Sequence, residues 1–252
     1  MNSLIVRQVG LPPPLIAVPA TPEGKPLHVV EIVGTQPPEE GPHEGANGAN
    51  AVNDTDRLGA TRLVERLVER LSGSGGIRFT VVCPSEGPFA ERIRSLGAET
   101  VIVAMPEDPP WHAIQVLVGL IRNRQAEVLH AHLPNAHRLA GLAGGLTRTP
   151  VLSTVQGQQL DMPDLEVHRL IASQLSVVTE ASYFHALGLG IAPERISCEP
   201  IEADTPEDLA AGSLEALGQR LRALGGTSAS RGAAQARAVA QPLTGSGGAL
   251  GR

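Results

Sequence analysis

Aromatic residues make up only 2% of the 252-residue chain, which also has just two cysteines. So few rings remove the stacking platforms on which single-stranded nucleic acids are held. No lysine or arginine run offsets the formal charge of −6. The clustered basic surface that phosphate-backbone binding needs is therefore absent too, and no nucleic-acid partner is expected. Cys83 and Cys198 lie far apart, and Cys83 closes an apolar run. That fits a buried free thiol in a reducing cytoplasm better than a disulfide. No stretch reaches the roughly 18 continuous apolar residues of a membrane span. Pro12, Pro13 and Pro14 break the apolar N-terminus before the core of a secretion signal can form. Residues 1–26 read as an extended arm, either disordered or docked on the domain.

With 42% hydrophobic residues, the chain can bury one sizeable core. Organised sequence starts at Leu27: "LHVVEIVG" is a β-branched run ending in glycine, the pattern of a buried strand. A loop insertion rich in Pro, Gly, Asn and acids, residues 34–56, follows it. In "DRLGATRLVERLVERL" the period becomes helical, with Asp54 or Thr55 placed to cap the start. Strand and helix then alternate: "IRFTVVC", "GPFAERIRSLG", "ETVIVAM", "PWHAIQVLVGLIRNR", "EVLHAH", "NAHRLAGLAGGL", "PVLSTVQG", "LEVHRLIASQL", "SVVTE", "ASYFHALGLG" and "RISCEP". Such alternation predicts a parallel sheet covered on both faces, a Rossmann-like α/β three-layer sandwich over residues 27–204. Residues 205–224 read as a further helix, and residues 225–252 as a disordered Gly/Ala-rich tail with no apolar period.

The segment "EVLHAHLPNAH" carries His130, His132 and His137. Ligands of doubly wound sheets gather at the carboxyl ends of the strands, where "HAH" falls. His130 and His132 share one face of that strand, whereas His137 lies beyond Pro134 in the first turn of the next helix. Neither H-x-x-x-H on a helix nor a C-x-x-C pair is present, so no metal site and no cofactor are expected. The imidazoles are expected to face an open crevice, to contact a ligand's hydroxyl or phosphate, and to tolerate glutamine with little loss of folding, with a plain packing or solvent-facing role as the alternative.

In order and spacing, "HVVEIVG", "TVVCPSEGPFAERIRSLGAETVIVAM", "EVLHAHLPNAHRLAGLAGGLTRTPVLSTVQG", "SVVTEAS" and "GIAPERISCEP" resemble the N-terminal, acceptor-side domain of GT-B glycosyltransferases of the family-4 type. The resemblance implies half of a GT-B fold and an acceptor cleft formed by His130, His132, Gln156, Gly157 and Glu180. Gln156-Gly157 stands where the family usually has His-Gly. The family's compact Gly-Gly turn after the first strand, which approaches the donor's phosphates, is replaced by the long loop. That leaves Gly34, Gly45 and Gly48 as phosphate-loop candidates, with a plain flexible linker as the alternative.

The family places its nucleotide-sugar donor in a second Rossmann domain, for which the residues after Asp204 are too few. Glu207 and Glu215 keep the family's E-x7-E spacing but suit two solvated carboxylates on an amphipathic helix better than a donor site. No catalytic residue is assigned. The implied activity is hexosyl transfer from a nucleotide-sugar to a glycan or lipid-linked acceptor, either incomplete or dependent on a partner donor domain, with the isolated chain inactive. Peripheral association with the inner face of the membrane is compatible with that activity. A non-catalytic Rossmann-like binding or interaction module is the alternative. No G-x-G-x-x-G follows the first strand, which argues against a dinucleotide-dependent dehydrogenase.

Overall fold

The computed structural model describes residues 25–34, 54–72, 76–157, 160, 162–171, 173–200 and 211–226. Seven strands form one sheet: β1 (Leu27–Val33), β2 (Ile77–Cys83), β3 (Glu99–Ile102), β4 (Val128–His132), β5 (Val151–Val155), β6 (Gln174–Val177) and β7 (Ile196–Cys198). All pairings are parallel, in the order β3-β2-β1-β4-β5-β6-β7. The helices are α1 (Asp54–Ser72), α2 (Pro88–Ser95), α3 (Trp111–Arg124), α4 (Pro134–Thr147), α5 (Met162–Ile171) and α6 (Glu180–Gly188), with α7 over residues 211–226. A Rossmann-like α/β sandwich is thus what the chain forms. Several boundaries differ from the sequence reading: α1 begins at Asp54, inside the expected insertion 34–56, and β3 ends at Ile102 rather than Met105. The helix expected over "LEVHRLIASQL" ends at Ile171, because Gln174 and Leu175 pair into β6 beside Leu152 and Ser153. The segment "SVVTE" yields its end to α6, where the Thr179 hydroxyl caps the start by accepting the Ser182 N–H at 3.0 Å.

Burial explains why β1 is apolar almost throughout. Its residues alternate between two cores, as a two-residue side-chain period demands. Val29 and Val33 face a layer formed by Leu63 and Leu67 of α1 and Leu217 and Leu221 of α7. Val30 and Ile32 face the other layer, formed by Leu117 and Ile121 of α3 and Leu139 and Ala143 of α4. A third cluster, including Val155, Leu175, Val177 and Ile196, packs the β6–β7 edge. Each fully buried leucine of these layers stabilises the fold by about 1.5–3 kcal/mol.

Helix α7 runs two residues past the end expected for it, so the tail expected from residue 225 begins with helical Gly225 and Gly226. Gly225 fits because the helix closes on the start of β1, where a Cβ would stand 2.3 Å from Leu27 Cδ1. The Arg220 Nε lies 3.5 Å from the Glu199 carboxylate, which also accepts the hydroxyls of Ser176 at 2.5 Å and Ser197 at 2.8 Å. That cluster ties α7 to the end of β7. Residues 1–24, 35–53 and 227–252 lie outside the described residues, so the expected arm, most of the expected insertion and the rest of the expected tail are not described. Both cysteines are free, Cys83 buried and Cys198 half-buried.

At the end of α4, Arg148 takes a left-handed conformation, φ 60°, donating its N–H to the Gly144 carbonyl. Glycine adopts that conformation without a Cβ penalty. Arg148→Gly is expected to raise stability by about 0.5–1 kcal/mol in thermal or urea unfolding.

Candidate functional site at the strand carboxyl ends

Parallel register decides what surrounds the histidines. Glu31 of β1 stands beside His130 of β4, and His132 stands beside Thr154 of β5. All four side chains lie on the face covered by α1, and all are fully buried. His130 Nδ1 is 3.1 Å from Glu31 Oε1 and 2.9 Å from Oε2, while its Nε2 is 2.7 Å from the Thr154 hydroxyl. His132 Nε2 is 2.9 Å from Glu31 Oε2, and the two rings lie 4.1 Å apart, tilted by 56°. The expectation that these rings face an open crevice is therefore corrected. They sit beneath α1 around one carboxylate, and exchanging either for glutamine disturbs a buried network rather than a surface.

Burial and pairing compete at Glu31. Burial acts to raise its pKa, but the charge and hydrogen bond of His130, with those of His132, outweigh it and hold the carboxyl down at about 2. At His132 burial acts first and the neighbouring His130 adds to it. Together they bring the ring from 6.5 to about 4, against the opposing hydrogen bond and charge of Glu31. Glu31 is thus ionised and His132 neutral at neutral pH. The ligand atoms of Glu31, His130 and His132 lie within 4.8 Å of one another, so among the described residues these could hold a cation. In the structure each ring nitrogen facing the carboxylate is at hydrogen-bond distance from it.

His137 does not join the other two. In α4 it meets Asp164 of α5 through Nδ1, and its Nε2 lies 3.1 Å from the carbonyls of both Ala131 and Thr154. Its work is to tie α4 and α5 to the two central strands.

Gln156 and Gly157 follow β5 and are half-buried. The Gln156 side chain turns toward α1, its Oε1 3.2 Å from where a Cβ on Gly59 would stand. The Gly157 carbonyl accepts the Ser182 hydroxyl at 2.7 Å, which brings it to the start of α6, where Glu180 is exposed. Of the six buried side-chain polar atoms without a partner among the described residues, His132 Nδ1 and Gln156 Nε2 lie here.

Gly34 donates its N–H to the His132 carbonyl at 3.1 Å. A Cβ on it would stand 1.8 Å from Asn135 Oδ1. Asn135 is itself fixed, donating to the Met105 carbonyl at 2.7 Å and accepting the Ala136 N–H at 3.0 Å. The close approach that glycine permits at position 34 is thus made by Asn135. Gly34→Ala is expected to cost about 1–3 kcal/mol in urea unfolding, because that anchored amide must move. The other phosphate-loop candidates, Gly45 and Gly48, lie outside the described residues, as does Glu207. Glu215 is exposed and lies 3.5 Å from Arg222 of the same helix.

Glu31 is the site residue that sequence reasoning missed. Within "HVVEIVG" it is a lone carboxylate in an apolar strand, and the signal was that very oddity, since an unpaired buried carboxylate is too costly to keep.

An all-parallel, doubly wound sheet with its polar cluster at the carboxyl edge defines a Rossmann-like domain of the kind that forms one half of a GT-B enzyme. The chain belongs to the glycosyl transferase 4-like domain family, whose model matches residues 59–197, more than half of the sequence. Among solved structures it is similar to a glycosyltransferase from Rickettsia africae, with 12% identity and a TM-score of 0.53 over 70% of this chain and 43% of that one. It is also similar to Anabaena Alr3699/HepE, solved with UDP-glucose, with 11% identity and a TM-score of 0.49 over 76% of this chain and 50% of that one. It is similar as well to Acinetobacter baumannii MurG, with 10% identity and a TM-score of 0.44 over 62% of this chain and 43% of that one. The chain thus spans half or less of the length of each. No curated protein matches the sequence. Among the described residues no helix is long and apolar enough to cross a membrane.

Proposed function

We propose that the chain is the acceptor side of a glycosyltransferase, taking part in hexosyl transfer from a nucleotide-sugar to a glycan or lipid-linked acceptor. The donor is held by a second, donor-binding domain. The observation that carries this reading is the match of residues 59–197 to the glycosyl transferase 4-like family; His132 Nδ1 and Gln156 Nε2, buried at the carboxyl ends of β4 and β5, are the unpaired polar atoms of that region. Gly157 and Glu180 edge the same region and contact the rest of the acceptor. Cytoplasmic location, with peripheral association at the membrane face where a lipid-linked acceptor is presented, belongs to this reading.

Calorimetric titration with a panel of nucleotide-sugars and a panel of glycans tests it. Nucleotide-sugars alone are expected to give no measurable binding to this chain, because by the family resemblance the diphosphate is neutralised in the donor domain. A glycan acceptor is expected to bind, and Gln156→Ala to weaken it about tenfold, the worth of one hydrogen bond. Micromolar affinity for a nucleotide-sugar would contradict the assignment.

A further inference from the structure

The acceptor reading leaves the buried Glu31 carboxylate unused. Ionised, it offers acceptors only, so a ring nitrogen that bonds to it must carry the proton. For His132 that nitrogen is Nε2, 2.9 Å from Glu31 Oε2. The opposite tautomer would set the bare lone pair of Nε2 against a negative oxygen. A second proton, on Nδ1, would create a buried N–H without an acceptor, on a ring only 4.1 Å from that of His130. His130 is held from both sides, by Glu31 and by Thr154, and so cannot turn away to relieve the crowding. The remaining state is a neutral His132 with the proton on Nε2 and a bare Nδ1.

Gln156 lies two residues beyond Thr154, the register partner of His132, and its side chain is on the same α1-covered face. Its buried amide Nε2 is a donor without a partner. A hydroxyl can donate to the bare imidazole nitrogen, and a hydroxyl can likewise accept from the amide. A phosphomonoester dianion has no proton for the bare nitrogen, and inorganic phosphate, which keeps a P–OH, still brings its negative charge against Glu31 behind the ring.

We propose that Glu31 is a positioning residue: it fixes His132 as the Nε2–H tautomer, so that the bare Nδ1 is an acceptor suited to a hydroxyl group and not to a phosphate. Only the identity of that hydroxyl, as the acceptor's, rests on the function proposed above. The tautomer does not.

Nitrogen-15 NMR of the imidazole rings in the full chain tests this at neutral pH, with the His132 signals assigned by their loss in His132→Gln. The expected spectrum shows Nε2 protonated and Nδ1 bare, and a large excess of inorganic phosphate leaves both signals unmoved. In Glu31→Gln the single tautomer is expected to give way to a mixture with a substantial Nδ1–H population. If that variant does not fold, the wild-type spectrum and the phosphate titration still decide. A protonated Nδ1, a metal-bound Nε2 released by chelator, or a saturable shift with phosphate would overturn the proposal, as would an unchanged tautomer in folded Glu31→Gln. The expected tautomer without any glycan binding would remove the acceptor assignment alone.

Discussion

Glu31→Ala is expected to lower folding stability by about 3–5 kcal/mol, read as a fall in the urea midpoint at unchanged slope. The loss comes from what stays behind. Two fully buried imidazoles would keep nitrogens that now bond to the carboxylate, with neither water nor a partner to replace it. The cavity left by the side chain adds to the cost. The same physics makes a contrasting variant informative. Replacing Glu31, His130 and His132 together by apolar residues of similar volume removes the stranded groups, and should recover most of the loss. A fall of under about 1 kcal/mol in Glu31→Ala would mean that the buried network does not form.

Acidification is expected to destabilise the protein in a defined window. The folded-state pKa of His132 is about 4, below its ordinary value of 6.5. Between those values the unfolded chain binds more protons than the folded one, so stability falls as pH drops from 6.5 toward 4. The full shift corresponds to a loss on the order of 3 kcal/mol. Glu31 acts in the same direction at lower pH, since its folded value of about 2 lies below its ordinary 4.5. Its contribution is fully present above 4.5 and is lost as pH falls through 2. Because the two groups share a proton-bonded contact, their losses do not simply add. Urea midpoints measured from pH 7.5 to 4 check this. His132→Gln, which removes one titrating ring, should flatten the pH dependence between 6.5 and 4. A wild-type midpoint constant across that window would contradict the assignment of His132 as a buried neutral ring.

The sheet was legible because each strand is a short β-branched run between helical periods, and parallel sheets buried on both faces are written in that way. Gly34 and the "HAH" pair were visible for the same reason, as punctuation and polarity at strand ends. The buried network was not visible, because Glu31 and His130 are neighbours only through strand register, 99 residues apart in the chain. Asp164 with His137 and Glu199 with Arg220 were hidden in the same way. Spacing along the sequence suggested that His130 and His132 shared a face, but not whether α1 would cover that face or leave it open. The end of α5 was misplaced for a different reason: "ASQL" suits a helix by local preference, and pairing of Gln174 and Leu175 with β5 overrode it.

The most direct test of the acceptor-side assignment is amide-resolved NMR of the isotope-labelled chain titrated with a panel of glycans. Binding is expected to shift the amides at His132 and Leu133, at Gln156 and Gly157, and at the start of α6 around Glu180, and to leave the outer face of α3 unmoved. Saturable shifts confined to other surfaces, or no shift with any glycan at millimolar concentration, would contradict the assignment.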